Sequence, residues 1–159
     1  MLTHRALGEA VQDATFLVRV PTIVAEVPPL RAEPVVAFLP DLFQRPYRLA
    51  ADVILDVTDE VETIVDMLAC HRTQVFEWQP WLDGNLAEVP GDEPGRRAWL
   101  RQWLERYLRG RLQHFQKEYE AVYGPCQVDR LYAIEVFEIS QYGAPLDAAG
   151  RQRLFPPAG

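Results

Sequence analysis

Apolar residues recur at helical spacing along much of the chain. Residues 4–18 carry one every three or four positions, which predicts an amphipathic helix that ends at Pro21. A second stripe over residues 61–76 predicts a helix that Thr58 caps and that ends before Pro80. Acidic residues follow the cap, where the helix dipole favours them.

The longest apolar stripe runs from Trp99 to Val122 and predicts a helix that Gly124 and Pro125 end. Its aromatic side chains could in principle form a ligand-binding box, but at this spacing they are typical of a core face. The arginines between them are typical of a solvated face with local ion pairs.

Short continuous apolar runs at residues 35–39 and 53–57 predict strands that are covered on both faces, and a β-rich run at residues 131–139 predicts a third strand. Proline-rich residues 21–34 predict an extended connection, and residues 79–95 predict a loop. Strands that alternate with helices are typical of an α/β layer with a mainly parallel sheet.

Composition limits the classes of protein to consider. The 159 residues, of which 48% are hydrophobic and 25% charged, predict a single domain over residues 1–159. A net charge of −7 disfavours nucleic acid as a partner. The chain has no apolar run of the roughly 20 residues that a membrane span needs. Cys70 and Cys126 form no disulfide framework, which indicates a reduced, cytoplasmic location.

Candidate chemistry is sparse, because His4, His71 and His114 lack metal-ligand spacing and no nucleotide-binding or nucleophile motif occurs. His71 lies near the second apolar stripe. It either reaches a pocket at the end of the sheet or packs at the edge of a buried face, bonded to a backbone carbonyl. Cys70 points about 100° away from it, which disfavours a thiolate pair.

Alternation along the last predicted strand puts Glu135 and Glu138 on opposite faces. A carboxylate among apolar neighbours is costly unless it is paired or lies beside a functional site. For Glu138 we expect solvent exposure or an arginine partner from the long helix.

Two segments, Asp52–Thr58 (DVILDVT) and Ala69–Gln74 (ACHRTQ), resemble the PIG-L/LmbE-like de-N-acetylase family. In that family a strand of this type leads into a helix with a His-x-Ser-Gln signature, and Thr73 here replaces the serine. The residues near the C-terminus are also similar to that family's C-terminal end: Glu135–Ile139, Tyr142–Gly143 and Arg153–Pro156. The resemblance covers essentially the whole chain.

This resemblance implies a zinc hydrolase on a Rossmann-like fold that removes acetyl groups from N-acetylated amino sugars, such as N-acetylglucosaminyl conjugates. The early His-Pro-Asp-Asp-Glu motif, which supplies metal ligands and the general base, is absent. His4 matches the last histidine of the later His-Pro-Asp-His motif, which implies a metal ligand. Arg5, His71, Gln74 and Glu135 are then candidates for the substrate rim or the shell around the metal.

The sequence leads us to expect the C-terminal part of such a deacetylase, a Rossmann-like partial layer that lacks the family's N-terminal strands. A catalytic zinc needs about three protein ligands and an open position, so we expect no stable zinc and no activity from this chain alone. An amino-sugar conjugate would be the substrate once the missing half is supplied.

The alternative hypothesis is a non-catalytic binding or assembly module. Lost strands would leave a sheet edge and an apolar face uncovered, which favours self-association or pairing with the missing N-terminal half. A third hypothesis is a free-standing enzyme built on Cys70, His71 and Glu135.

Overall fold

The computed structural model describes residues 2–125 and 132–156. Contacts within the chain divide it into two compact units. The first unit comprises Met1–Val53 and Val136–Gly159, and the second comprises Ile54–Glu135. The expected single domain over residues 1–159 stays a prediction.

The first unit begins with helix α1, Leu2–Leu17, close to the predicted 4–18. Its apolar stripe is exposed rather than packed: Leu7 is 64% and Phe16 72% accessible. Thr15 is buried, and its hydroxyl donates to the Val11 carbonyl oxygen over 2.8 Å. The unit also contains helix α6, Ala148–Leu154. Asp147 caps the N-terminus of this helix, because its side chain accepts a hydrogen bond from the Gly150 N–H.

The described strands form one small sheet. Strands β1 (Ala37–Phe38), β2 (Val53–Asp56) and β3 (Ile134–Ile139) lie in the order β1-β3-β2. Strand β3 runs antiparallel to β1, with Ala37 opposite Ile139 and Phe38 opposite Glu138. The whole sheet is antiparallel.

The prediction of a Rossmann-like partial layer with mainly parallel strands is therefore wrong. Helices take up 53% of the chain as described and strands only 8%. A short apolar run indicates a strand that is buried on both faces, but it does not indicate whether that strand runs parallel or antiparallel to its neighbours. Direction depends on how the chain returns between paired strands, and here β3 lies between β1 and β2 in an antiparallel sheet.

In the second unit, β2 leads into a 3₁₀ turn, Thr58–Glu60, and then into helix α2, Val61–Ala69. We had predicted that Thr58 caps this helix, and that prediction is wrong. Its hydroxyl instead accepts a hydrogen bond from the Tyr132 N–H over 3.3 Å. A π-helical segment, Gln74–Trp78, continues into helix α3, Gln79–Leu82.

The predicted helix over residues 61–76 is interrupted, because α2 ends at Ala69, before Pro80, and a separate helical segment contains Pro80 inside α3, where it is buried. A proline ring normally clashes with the carbonyl group four residues earlier. Here the Gln79 N–H donates to the Gln74 carbonyl oxygen, five residues earlier. This wider π-turn accommodates the proline without ending the helical path.

The long predicted helix is two helices. Helix α4 spans Glu93–His114, with Asp92 as its cap, and α5 spans Gln116–Tyr123. Phe115 separates them with non-helical dihedral angles and buries its side chain completely. Gly124, at φ 81°, ends α5 as predicted, because that conformation favours glycine. The predicted loop over residues 79–95 contains α3, a 3₁₀ turn at Leu86–Glu88 and the start of α4.

The core of the second unit packs α2 and the π-helical segment against one face of α4. Three leucines at helical spacing, Leu100, Leu104 and Leu108, supply the α4 face. They meet the buried residues Val61, Val65, Val75, Phe76 and Ala133.

At the surface edge of this core, arginines of α4 pair with carboxylates. Arg97 Nη2 lies 2.8 Å from Glu62 Oε2 and 2.8 Å from Asp66 Oδ1, and Arg101 pairs with Glu62 and Glu105. Hydrogen bonds from Arg101, and then from Arg97, lower the pKa of Glu62 below its ordinary 4.5.

The lowered pKa of Glu62 predicts an acid-sensitive stability term. The term is complete above the ordinary pKa of 4.5 and is lost as pH falls through the lower folded-state pKa, because the unfolded chain binds the proton more readily. Urea unfolding at a series of pH values should therefore show a shallower loss of stability at acid pH in Glu62→Gln than in the parent. Glu88→Gln, which removes a carboxylate outside this cluster, is the control, and equal slopes in both variants would contradict the prediction.

Candidate ligand-binding cavity

A cavity of about 760 Å³ lies within the first unit. Its wall is mostly apolar, with a few polar groups, as is typical of small-molecule sites. The apolar part comes from α1, β1 and the segment that follows β1, and the polar side chains come from the residues His4, Gln12, Asp41, Arg45, Tyr47 and Glu138.

Helix α1 forms one wall because His4, Leu7 and Val11 lie three and four residues apart and so share a face. The stripe residues Leu7 and Val11 are exposed because they face the open space of the cavity. On the segment after β1, the Asp41 carboxylate accepts from the Phe43 N–H over 3.0 Å, which fixes the turn there.

Glu138 of β3 reaches the cavity with its carboxylate partly engaged. Its Oε2 accepts from the Ala50 N–H over 2.6 Å. The partner is thus a backbone amide within the first unit rather than the arginine of the long helix, and Glu138 remains partly accessible to solvent. This bond holds Glu138 at the wall and leaves its other oxygen as an acceptor for a ligand.

Glu135, three residues earlier on β3, has the arginine partner instead. Arg111 Nη1 of α4 lies 2.5 Å from Glu135 Oε2, and these side chains are only 13% and 25% accessible. Arg111 also donates to the Ile134 carbonyl oxygen over 3.3 Å and to the Tyr107 hydroxyl over 3.2 Å. Burial opposes the charge of Arg111, but Glu135 and Tyr107 outweigh it, so the pKa of Arg111 is raised.

The structure separates the other residues that the sequence nominated. Arg5 Nε donates to Glu9 Oε1 over 3.1 Å on the exposed surface of α1 and does not line the cavity. His71 is exposed, and its backbone N–H donates to the Leu68 carbonyl oxygen over 2.9 Å. Gln74 lines a different groove, in the second unit. Cys70 is exposed with a free thiol, and Cys126 lies outside the described residues.

The described residues do not fit a zinc centre. Over residues 2–125 and 132–156, no group of three or more histidine, cysteine, aspartate or glutamate side chains is placed to hold a metal ion. His4 is an exposed imidazole at the cavity wall, and a structural or catalytic zinc needs several such donors together.

Sequence reasoning missed Asp41, Arg45 and Tyr47 as wall residues. The available signal was their position, because Pro40 and Pro46 interrupt a polar and aromatic segment between two predicted strands. That pattern indicates a surface connection, but not which cavity it borders.

No family model, curated protein or solved structure matches the chain. The resemblance to PIG-L/LmbE-like de-N-acetylases thus rests on the motifs quoted above and stays a prediction. None of the helices in the described part of the chain is long and apolar enough to cross a membrane.

The Arg111–Glu135 pair predicts strong energetic coupling. In a double-mutant cycle of Arg111→Gln and Glu135→Gln, we expect a coupling free energy of about 2 kcal/mol, because either single change leaves a poorly solvated charge without its partner. Urea unfolding of the four proteins measures it. The exposed Arg5–Glu9 pair is the matched control and should show no measurable coupling. Equal coupling in the two cycles would contradict the buried-pair interpretation.

Proposed function

We propose that the first-unit cavity binds the N-acetylated amino-sugar group of a conjugate, and that the chain serves in zinc-dependent de-N-acetylation of the PIG-L/LmbE type. One observation carries the proposal. His4, to which the resemblance assigns a metal-facing role, lines a cavity large enough for a sugar ring.

The wall chemistry supports a sugar derivative as the ligand. Asp41 and Glu138 offer carboxylate oxygens to hydroxyl groups, and the Arg45 guanidinium can donate to an acetamido oxygen. Phe38 and Tyr47 offer aromatic surface for the acetyl methyl group and the apolar face of the ring.

The proposal assigns substrate binding to this chain and derives no hydrolytic step from it. His4 would be one metal ligand, and the described residues supply no group of further donors around it. Isolated protein is therefore expected to bind the sugar without releasing acetate. A cytoplasmic location belongs to the same proposal, supported by the exposed free thiol of Cys70.

The test is a calorimetric titration of the chain with N-acetylglucosamine. We expect weak but measurable binding, and His4→Ala should weaken it at least about threefold, which corresponds to one modest hydrogen bond. Parallel assays with added zinc should release no acetate.

The control variant for this titration is Asp13→Asn, which changes an exposed residue of α1 that does not line the cavity. It should bind as the parent does. Absence of binding by the parent would overturn the proposed ligand, and zinc-dependent acetate release would overturn the assignment of binding alone.

A second candidate function, a non-catalytic assembly module, is favoured by the apolar surface of the first unit. Large exposed side chains recur on α1 and after β1, namely Leu7, Phe16, Leu39, Leu42 and Phe43. Exposed apolar surface on this scale is typical of protein interfaces.

Light scattering after size exclusion tests this assembly function. We expect a mass that rises with protein concentration, and Phe16→Glu and Phe43→Glu should each return the chain to the monomer, because a charge at an apolar interface is poorly solvated. Met67→Glu, at an exposed apolar residue of the second unit, should leave the mass unchanged. A parent chain that is monomeric at every concentration would contradict the assembly function.

A further inference from the structure

A groove of about 380 Å³ lies within the second unit, where the π-helical segment meets α3. It shares no residue with the first-unit cavity. Its wall consists of Thr73, Gln74, Glu77, Trp78, Trp81 and Leu86.

Two indole side chains dominate this groove and remain accessible. Trp78 is 50% and Trp81 66% exposed, although neighbouring Val75, Phe76 and Pro80 are buried. Gln74, Trp78 and Trp81 all border this groove. Leaving two indoles in water forfeits a large burial free energy, so a paired aromatic surface of this kind is typical of a recognition site.

The groove carries a single charge, which is negative. Glu77 is the one ionisable residue of its wall, and the described residues give its carboxylate neither a hydrogen bond nor an ion pair. Arg72 interacts electrostatically with Glu77, but its Nη2 donates to Glu93 Oε1 over 2.7 Å. That hydrogen bond is the main cause of the raised pKa of Arg72, and the charge of Glu77 is the smallest contribution.

We propose that this groove binds a quaternary ammonium group, such as the trimethylammonium end of a choline-type ligand. The negative faces of indole rings attract cations, tryptophan most strongly among the aromatic residues. Methyl groups on the nitrogen pack against the rings, and the Glu77 carboxylate supplies the complementary charge. Glutamine and threonine side chains at the rim suit a polar group that follows the cation.

This site is independent of the proposed amino-sugar function. Anionic ligands are disfavoured by Glu77, and a primary ammonium holds its water too strongly to exploit the rings fully. A neutral apolar ligand would use the indoles but gain nothing from the carboxylate. Charge therefore discriminates among these ligand classes.

The experiment follows the indole N–H signals of the full chain by two-dimensional NMR during titration with choline. A parallel titration uses 3,3-dimethylbutan-1-ol, which has the same shape without the charge. We expect saturable shifts of the Trp78 and Trp81 signals with choline, at a millimolar dissociation constant. The Trp99 and Trp103 signals should stay in place, and the neutral analogue should bind at least about threefold more weakly.

Variants separate the two contributions. Trp81→Ala should abolish saturation, and Trp81→Phe should retain weaker binding because phenylalanine has a weaker cation attraction. Glu77→Gln should weaken choline binding about threefold to tenfold without altering binding of the neutral analogue. Glu88→Gln, which removes an exposed carboxylate that does not line the groove, is the matched control and should bind as the parent does.

Two results would overturn the proposal. Equal affinity for choline and the neutral analogue would show an apolar groove without cation selectivity. Unshifted Trp78 and Trp81 signals at 100-fold molar excess, about 50 mM choline, would show that the groove does not bind such ligands. Both indoles are exposed, so these variants should fold, and circular dichroism checks that they do.

Discussion

Strand β3 brings two carboxylates, those of Glu135 and Glu138, into a three-stranded sheet. Because removing a carboxylate from water costs free energy, each of the two needs a partner from a neighbouring segment. A carboxylate that leaves water must gain a charged or hydrogen-bonding partner. Glu135 gains Arg111 of the long helix α4, at 2.5 Å, and Glu138 gains the backbone N–H of Ala50, at 2.6 Å. The first pair lies within the second unit, where it joins Glu135 to α4, and the second lies within the first unit, where it fixes the segment that leads into β2.

These two solutions have different functional consequences. Arg111 forms an ion pair with Glu135 while it contacts Tyr107 and the Ile134 carbonyl group, so both members of the pair serve the structure. Glu138 accepts a backbone N–H at one carboxylate oxygen and also borders a cavity. Glu138, whose partner is a backbone amide rather than an arginine, is therefore the carboxylate that remains available to a ligand.

Local pattern predicted what depends on local physics. Helix α1, the glycine end of α5 and the approximate positions of three strands follow from periodicity and backbone preference. Strand direction did not follow, because burial alone cannot report it. Helix α6 has only seven residues, too few for a periodic signal, although its Asp147 cap was readable. The π-turn before Pro80 could not be predicted, because sequence rules treat an interior proline as the end of a helix.

For the candidate site, a motif identified His4 as a candidate residue, whereas Asp41, Arg45 and Tyr47 lie beside it in the cavity wall only because of tertiary contacts.

The antiparallel sheet changes where chemistry can reside. In a parallel α/β layer, the carboxyl ends of the strands gather polar groups at one edge, and a pocket at the end of the sheet was one of the two interpretations of His71. With three short antiparallel strands, that edge is absent from the described chain, and accessible polar groups come from helix surfaces and connections instead. His4 lies on the first turn of α1, and Glu77 with its two tryptophans lies on a π-turn and the helix that follows. The ligand chemistry of this fold therefore depends on the side chains that helices present at grooves, and on exposed charges there, such as Glu77, that lack an ion-pair partner among the described residues.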